Sequence, residues 1–189
     1  MERVALVHAK DGDFRRRRIG DRRKLPFRAV NQPGKPGHQP DMQRHHLVPC
    51  QLVESSGLCG MMQQLGRDRI GFDDFRRNGL LLPATTSAAL RVGLPLHRGP
   101  HAGYNAMVAE RVGQIEAVWS REVLRKPHEA TCAAIMRLDL LQAGLRRRLL
   151  SSGPKKLRLN SKDPFRSGQD FTELDAMADQ LWAGTAMGT

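Results

Sequence analysis

Three cysteines in 189 residues are too few to hold a fold together. Cys50, Cys59 and Cys132 are odd in number and form no Cys-x-x-Cys pair. They exclude a disulfide framework and a cysteine-ligated zinc site, and small, buried, apolar positions are expected for them. Long hydrophobic runs are missing too. No stretch approaches the roughly 18 apolar residues of a membrane span. The N-terminal "VALVHA" is too short for a signal-peptide core, and arginines follow it instead of preceding it. The expected location is cytoplasmic, unless a dedicated system exports the protein, and no membrane partner is expected. Hydrophobic residues make up 40% of the chain, and no internal repeat is visible. Acidic residues are scarce: 19 Asp and Glu stand against 31 Lys and Arg, a formal net charge of +12. That excess favours a polyanionic partner, nucleic acid ahead of an anionic membrane surface. The plain alternative is a basic surface with no such partner.

The length allows one domain with a real core, or a small domain with extensions. Residues 1–38 carry "FRRRRIGDRRK" and then "NQPGKPGHQP", a dense basic run and a Pro/Gly linker. They read as a basic, poorly ordered extension. Arg15 to Arg18 either hold phosphates or belong to a solvated tail. Residues 39–126 form the expected core, with folded structure from about Asp41, and residues 127–189 a helical C-terminal part.

Within the core, "HHLVPC" reads as a short extended segment ended by Pro49, and "QLVESSGLCGMMQQLG" as a helix weakened by two glycines. "FDDFRRNGLLLP" places Asn78-Gly79 ahead of the apolar Leu80 to Leu82, a hairpin-turn signal running into a strand. "TTSAALRVG" is a short helix capped by Thr85 or Thr86. Tyr104, Met107, Val108, Val112, Ile115, Val118 and Trp119 recur at helical spacing up to Lys126, where Pro127 breaks the run. Ala130, Ala134, Leu138, Leu141, Leu145 and Leu149 form a second stripe. The two stripes predict a helical hairpin. A last short helix is expected at "FTELDAMADQLW".

The histidines carry the chemistry. His8, His38 and His128 are expected to be ordinary surface residues. The other four come as two close pairs, in "RHHLVP" and in "HRGPH". Two pairs from separate segments can converge on one divalent ion. In a strand, His45 and His46 point to opposite faces, so they serve one site only where the strand ends. His97 and His101 are spaced i,i+4, and a helix starting near Pro100 would take His101 in its first turn and His97 from the preceding loop. Arg44, Arg98 and Arg91 are candidate phosphate clamps, and Asn105 is a lesser candidate ligand. A purely structural metal site, or polar contacts in a helical domain, would use the same four histidines.

"RHHLVP", "FRRNGLLLP" and "LHRGPHAGYNAMV", in that order, resemble the AHH family of predicted nucleases. That family lies in the HNH, or His-Me finger, superfamily, with the colicin DNases and endonuclease VII. The resemblance covers roughly residues 38 to 115. Arg44 stands where the family's namesake has alanine.

The resemblance implies an α+β fold: a small ββα-metal, HNH-like core with mostly helical surroundings and the C-terminal hairpin. It implies His45, His97 and His101 as ligands of one divalent ion (Mg, Mn, Zn or Ni), His46 as general base, and Asn78 as the residue that orients His46 or ties the loop to the strand. The implied function is a metal-dependent endonuclease, acting on DNA ahead of RNA, with Arg44 and Arg98 on phosphate. A toxin-type role with an immunity protein as partner is within the family's range. The rival is a non-catalytic nucleic-acid-binding protein with a structural metal site. An imidazole of pKa about 6.5 suits proton abstraction at neutral pH. A base must keep one nitrogen free of metal, which gives two adjacent histidines two different tasks.

Overall fold

Two short strands pair antiparallel, but the chain takes a long detour between them. In the computed structural model, which describes residues 23–54, 57–99, 101–151, 157–159 and 163–165, β1 (Met42–His46) lies beside β2 (Gly79–Pro83). The register sets His45 opposite Leu80 and His46 opposite Gly79. Between the strands run α1 (Gln51–Glu54), α2 (Cys59–Leu65) and α3 (Phe75–Asn78). After β2 come α4 (Thr86–Val92), then the long helices α5 (Ala102–Glu122) and α6 (Pro127–Leu150). Helices around one small antiparallel sheet make this an α+β fold. Among the described residues no helix is long and apolar enough to cross a membrane.

The hairpin turn expected at Asn78-Gly79 is absent. Asn78 is the last residue of α3, Gly79 has an extended φ of −116°, and Asn78 is not left-handed. The dipeptide signal assumes a strand on both sides. Here a helix precedes it, and the partner of β2 lies far upstream. Asp74 starts α3 by accepting the Arg76 N–H at 3.0 Å. Arg146 of α6 closes it, its Nη2 donating to the carbonyls of Arg76 at 2.8 Å and Gly79 at 2.7 Å. Gly79 is small because space is lacking: a Cβ there would sit 2.2 Å from Cδ2 of Phe75. At α4, Thr85 is the cap, its hydroxyl accepting from Ala88 N–H at 3.2 Å.

The helical hairpin forms as the stripes predict. Tyr104, Met107, Val108, Val112, Ile115 and Trp119 of α5 face Ala130, Ala134, Leu138, Leu145 and Leu149 of α6, all buried in one core with Met61, Met62, Phe72 and Leu82. Val118 and Leu141 are half-buried at its edge. Helix α5 stops at Glu122, short of Lys126, and Pro127 opens α6 at its first turn, where its missing N–H breaks no helical bond.

The cysteines depart from expectation. Cys50 and Cys132 are exposed and Cys59 is half-buried, and none of the three is in a disulfide. Cys132 sits two positions from both Ala130 and Ala134, which turns it to the outer face of α6. The arginine run at 15–18 and the helix expected at 171–182 lie outside the described residues. Residues 23–38, read from sequence as part of the extension, run along the core instead. Leu25 N–H donates to Asp74 Oδ1 at 3.1 Å, and Phe75 N–H donates to the Leu25 carbonyl at 2.8 Å.

Candidate metal centre

Strand alternation delivers the two adjacent histidines to different neighbourhoods. His45 points inward and is only 4% exposed. Its ring meets those of His97, His101 and Tyr104 at centroid distances of 4.9, 5.8 and 5.1 Å. His97 comes from the extended segment after α4, anchored by its N–H donating to the Pro83 carbonyl at 2.7 Å. His101 occupies the N-cap of α5, and Pro100 beside it lies outside the described residues. One ring nitrogen from each of His45, His97 and His101 lies within 4.8 Å of the others.

The outer nitrogens of this triad are engaged. Nδ1 of His97 is 3.1 Å from Oε1 of Gln43, and Nδ1 of His101 is 3.1 Å from the Leu159 carbonyl. A carbonyl oxygen only accepts, so each Nδ1 carries the proton and the lone pair is left on Nε2. Nε2 of His45 is buried with no hydrogen-bond partner among the described residues. Such an atom costs about 1–3 kcal/mol if left unpaired, and a cation would satisfy it. Burial, then repulsion from the neighbouring imidazoles, pushes His45 down to about 2. Burial, then His101, pushes His97 down to about 4. Burial also lowers His101, against the opposing bond to Leu159. At neutral pH three uncharged imidazoles therefore converge, a donor set that could hold a divalent ion.

His46 belongs to another cluster. Its ring stacks on Phe27 at 3.7 Å and 6°, with Phe72 at 6.0 Å and 29°. Phe27 is held in place by Arg44, whose Nη1 donates to the Phe27 carbonyl at 2.9 Å, and by an edge contact with Phe75 at 5.1 Å. Burial lowers the His46 pKa, Asp73 opposes this, and Arg67 and Arg44 reinforce it.

Asn78 makes no hydrogen bond to His46 among the described residues. It grips the chain just beyond it. Its Oδ1 accepts from Val48 N–H at 2.8 Å, its Nδ2 donates to the carbonyls of Val48 at 3.2 Å and Phe72 at 3.1 Å, and its own carbonyl accepts from Leu47 N–H at 2.8 Å. Tyr104 completes the clamp, its hydroxyl donating to the Leu47 carbonyl at 2.6 Å. Full burial raises the Tyr104 phenol well above its ordinary range. The other candidates lie outside the triad. Arg91 pairs with Asp41, Asn105 donates to Gln51 Oε1 at 3.1 Å, and Arg98 is exposed beside His97.

A family described as a nuclease family of the HNH/ENDO VII superfamily, with conserved AHH, matches residues 27–143, more than half of the chain. The chain belongs to the AHH nuclease family. No curated protein and no solved structure matches it. The AHH span starts at Phe27, takes in both histidine pairs and Asn78, and ends inside α6. Membership makes nucleic acid the substrate class.

Four groups that contact these histidines or the adjoining backbone are not marked as such by the sequence: Phe27, Gln43, Tyr104 and the Leu159 carbonyl. Tyr104 had a signal, because a tyrosine in an apolar stripe must place its hydroxyl on a partner. The other three had none, being an isolated aromatic, a strand glutamine and a backbone atom.

Proposed function

We propose that this AHH protein is a metal-dependent endonuclease with a ββα-metal site, built from β1, β2 and the start of α5. The observation that carries the reading is the split at the end of β1. His45 joins a triad with an unpaired buried nitrogen, while His46 is kept apart on Phe27. His45, His97 and His101 hold one divalent cation, and their nitrogens suit Zn or Ni better than Mg. When bound, the cation supplies Lewis-acid stabilisation of the scissile phosphate and its leaving 3′ oxygen. His46, held neutral at pH 7 by burial, accepts the proton of the attacking water. Asn78 and Tyr104 fix the backbone that carries His46. Arg44 and Arg98, both exposed next to a site histidine, contact phosphate. Phosphate contacts carry no sequence information, so cleavage has little sequence preference. DNA is the proposed substrate, ahead of RNA.

Supercoiled plasmid, linear duplex, single-stranded DNA and RNA, each incubated with Mg²⁺, Mn²⁺, Ni²⁺ or Zn²⁺ with and without chelator, test this. Cleavage of DNA that chelator abolishes is expected. Nucleic acid bound but uncut with every metal would overturn the reading in favour of a binding protein.

Phe27 gives a narrower prediction. Its stack fixes the plane of His46, and a misplacement of about 1 Å can cost about a hundredfold in rate. Phe27→Ala is expected to lower single-turnover cleavage on that scale while leaving Zn²⁺ affinity unchanged, and Phe27→Tyr to restore the rate. Equal rates for Phe27→Ala and wild type would show that the stack does not position the base.

A further inference from the structure

We propose that the segment after α6, beyond the span matched to the family, is a working part of the metal centre: Asp163 and the Leu159 carbonyl set the loop and ring that present His97 and His101. The inference rests on reading the triad as a metal site. It explains two buried features that the proposed reaction does not use.

Helices α5 and α6 have 21 and 24 residues. At 1.5 Å per residue they are about 32 and 36 Å long. A hairpin of such near-equal arms returns the chain, after Leu150, to the level of His101 at the start of α5. There Leu157 and Leu159 are 1% and 4% exposed and belong to the main core. Seated by these two side chains, the Leu159 carbonyl lies 3.1 Å from Nδ1 of His101. It fixes the ring's tautomer and leaves Nε2 as the donor.

Asp163 acts at the other histidine. It is 4% exposed. Its Oδ2 accepts from Leu96 N–H at 2.9 Å, and its Oδ1 accepts from Phe165 N–H at 2.9 Å. Leu96 immediately precedes His97 and is itself buried. The carboxyl thus pins the backbone that carries His97, while Gln43 holds the ring. Asp163 is a positioning residue, acting through the loop and never on the ion. Partners of this kind govern metal affinity by about 10- to 100-fold.

The test is calorimetric titration of the full-length protein with Zn²⁺, beside nitrogen-15 spectra of the histidine side chains of the metal-free wild type. In the metal-free wild type, His101 is expected as the Nδ1–H tautomer. Asp163→Ala is expected to weaken Zn²⁺ binding about 10- to 100-fold and to keep a cooperative thermal transition. Asp163→Asn retains an oxygen for Leu96 and is expected to recover most of the affinity. Wild-type affinity in Asp163→Ala, or an Nε2–H tautomer at His101, would overturn the inference while leaving the metal site standing. No Zn²⁺ binding by the wild type would remove the metal reading itself, and this inference with it. The tautomer is read without metal, so it tests the Leu159 contact even where the alanine variant does not fold.

Discussion

His46→Ala is expected to cut hydrolysis by roughly 10²- to 10⁴-fold, the contribution of a positioned general base, while binding Zn²⁺ as tightly as the wild type. His45→Ala, His97→Ala and His101→Ala are expected to lose metal binding and activity together. The reason is the separation of the two ring clusters. His45 shares its surroundings with His97 and His101, whereas His46 lies against Phe27 and Phe72. Removing a triad member leaves two imidazoles, too few to hold the ion firmly, and any stabilisation by metal disappears with it. Removing His46 leaves all three donors in place. Calorimetry and a cleavage assay on the four variants read both effects. Loss of metal binding in His46→Ala with retention in His45→Ala would mean the two neighbours have exchanged tasks. Wild-type behaviour in all four would end the nuclease reading.

Asn78→Asp is expected to be the most destabilising conservative change near the site. Asn78 is fully buried, and its amide nitrogen donates to two carbonyls. A carboxylate has no proton to give, so both carbonyls lose their donor and a charge is buried against them. Each buried group left unpaired costs about 1–3 kcal/mol, a large share of the roughly 5–15 kcal/mol that holds a domain folded. At about 2–4 °C per kcal/mol for a chain of this size, the melting temperature falls by roughly 10 °C. Thermal unfolding followed by circular dichroism measures it. A shift of a degree or two would mean that Asn78 does not carry the loop at 47–48. Cleavage falls as well, because the backbone leaving His46 is the part released.

Much of this site was legible in the sequence, and the gaps have specific causes. The alternation of a strand shows that His45 and His46 must diverge, and the apolar stripes of α5 and α6 predict their hairpin. Thr85 was readable as a cap because its partner, the N–H of Ala88, is local. The tight turn expected at Asn78-Gly79 does not form, because the bonds of Asn78 are tertiary. A pair of letters that often marks a tight turn here ends a helix and reaches Val48, 30 residues away. Cys132 lies outside the core because its position on α6, and not its residue type, sets the face it takes. Phe27 was assigned to the extension because the basic and Pro/Gly residues around it mask one aromatic contact.

The bonds that complete the triad have a consequence for the order of events during synthesis. They span 58 and 67 residues of chain, from the Leu159 carbonyl to His101 and from Asp163 to Leu96. Every histidine of the triad is polymerised by residue 101, yet Asp163 follows 62 residues later. At translation speeds of about 5–20 residues per second, that gap is about 3 to 12 seconds. For that interval His97 has its upstream partners, Gln43 and the Pro83 carbonyl, but neither the Leu159 carbonyl nor Asp163 is there. The last partners of the triad thus join it from a segment made after all three histidines, so the centre as described is completed only once residue 163 has been added.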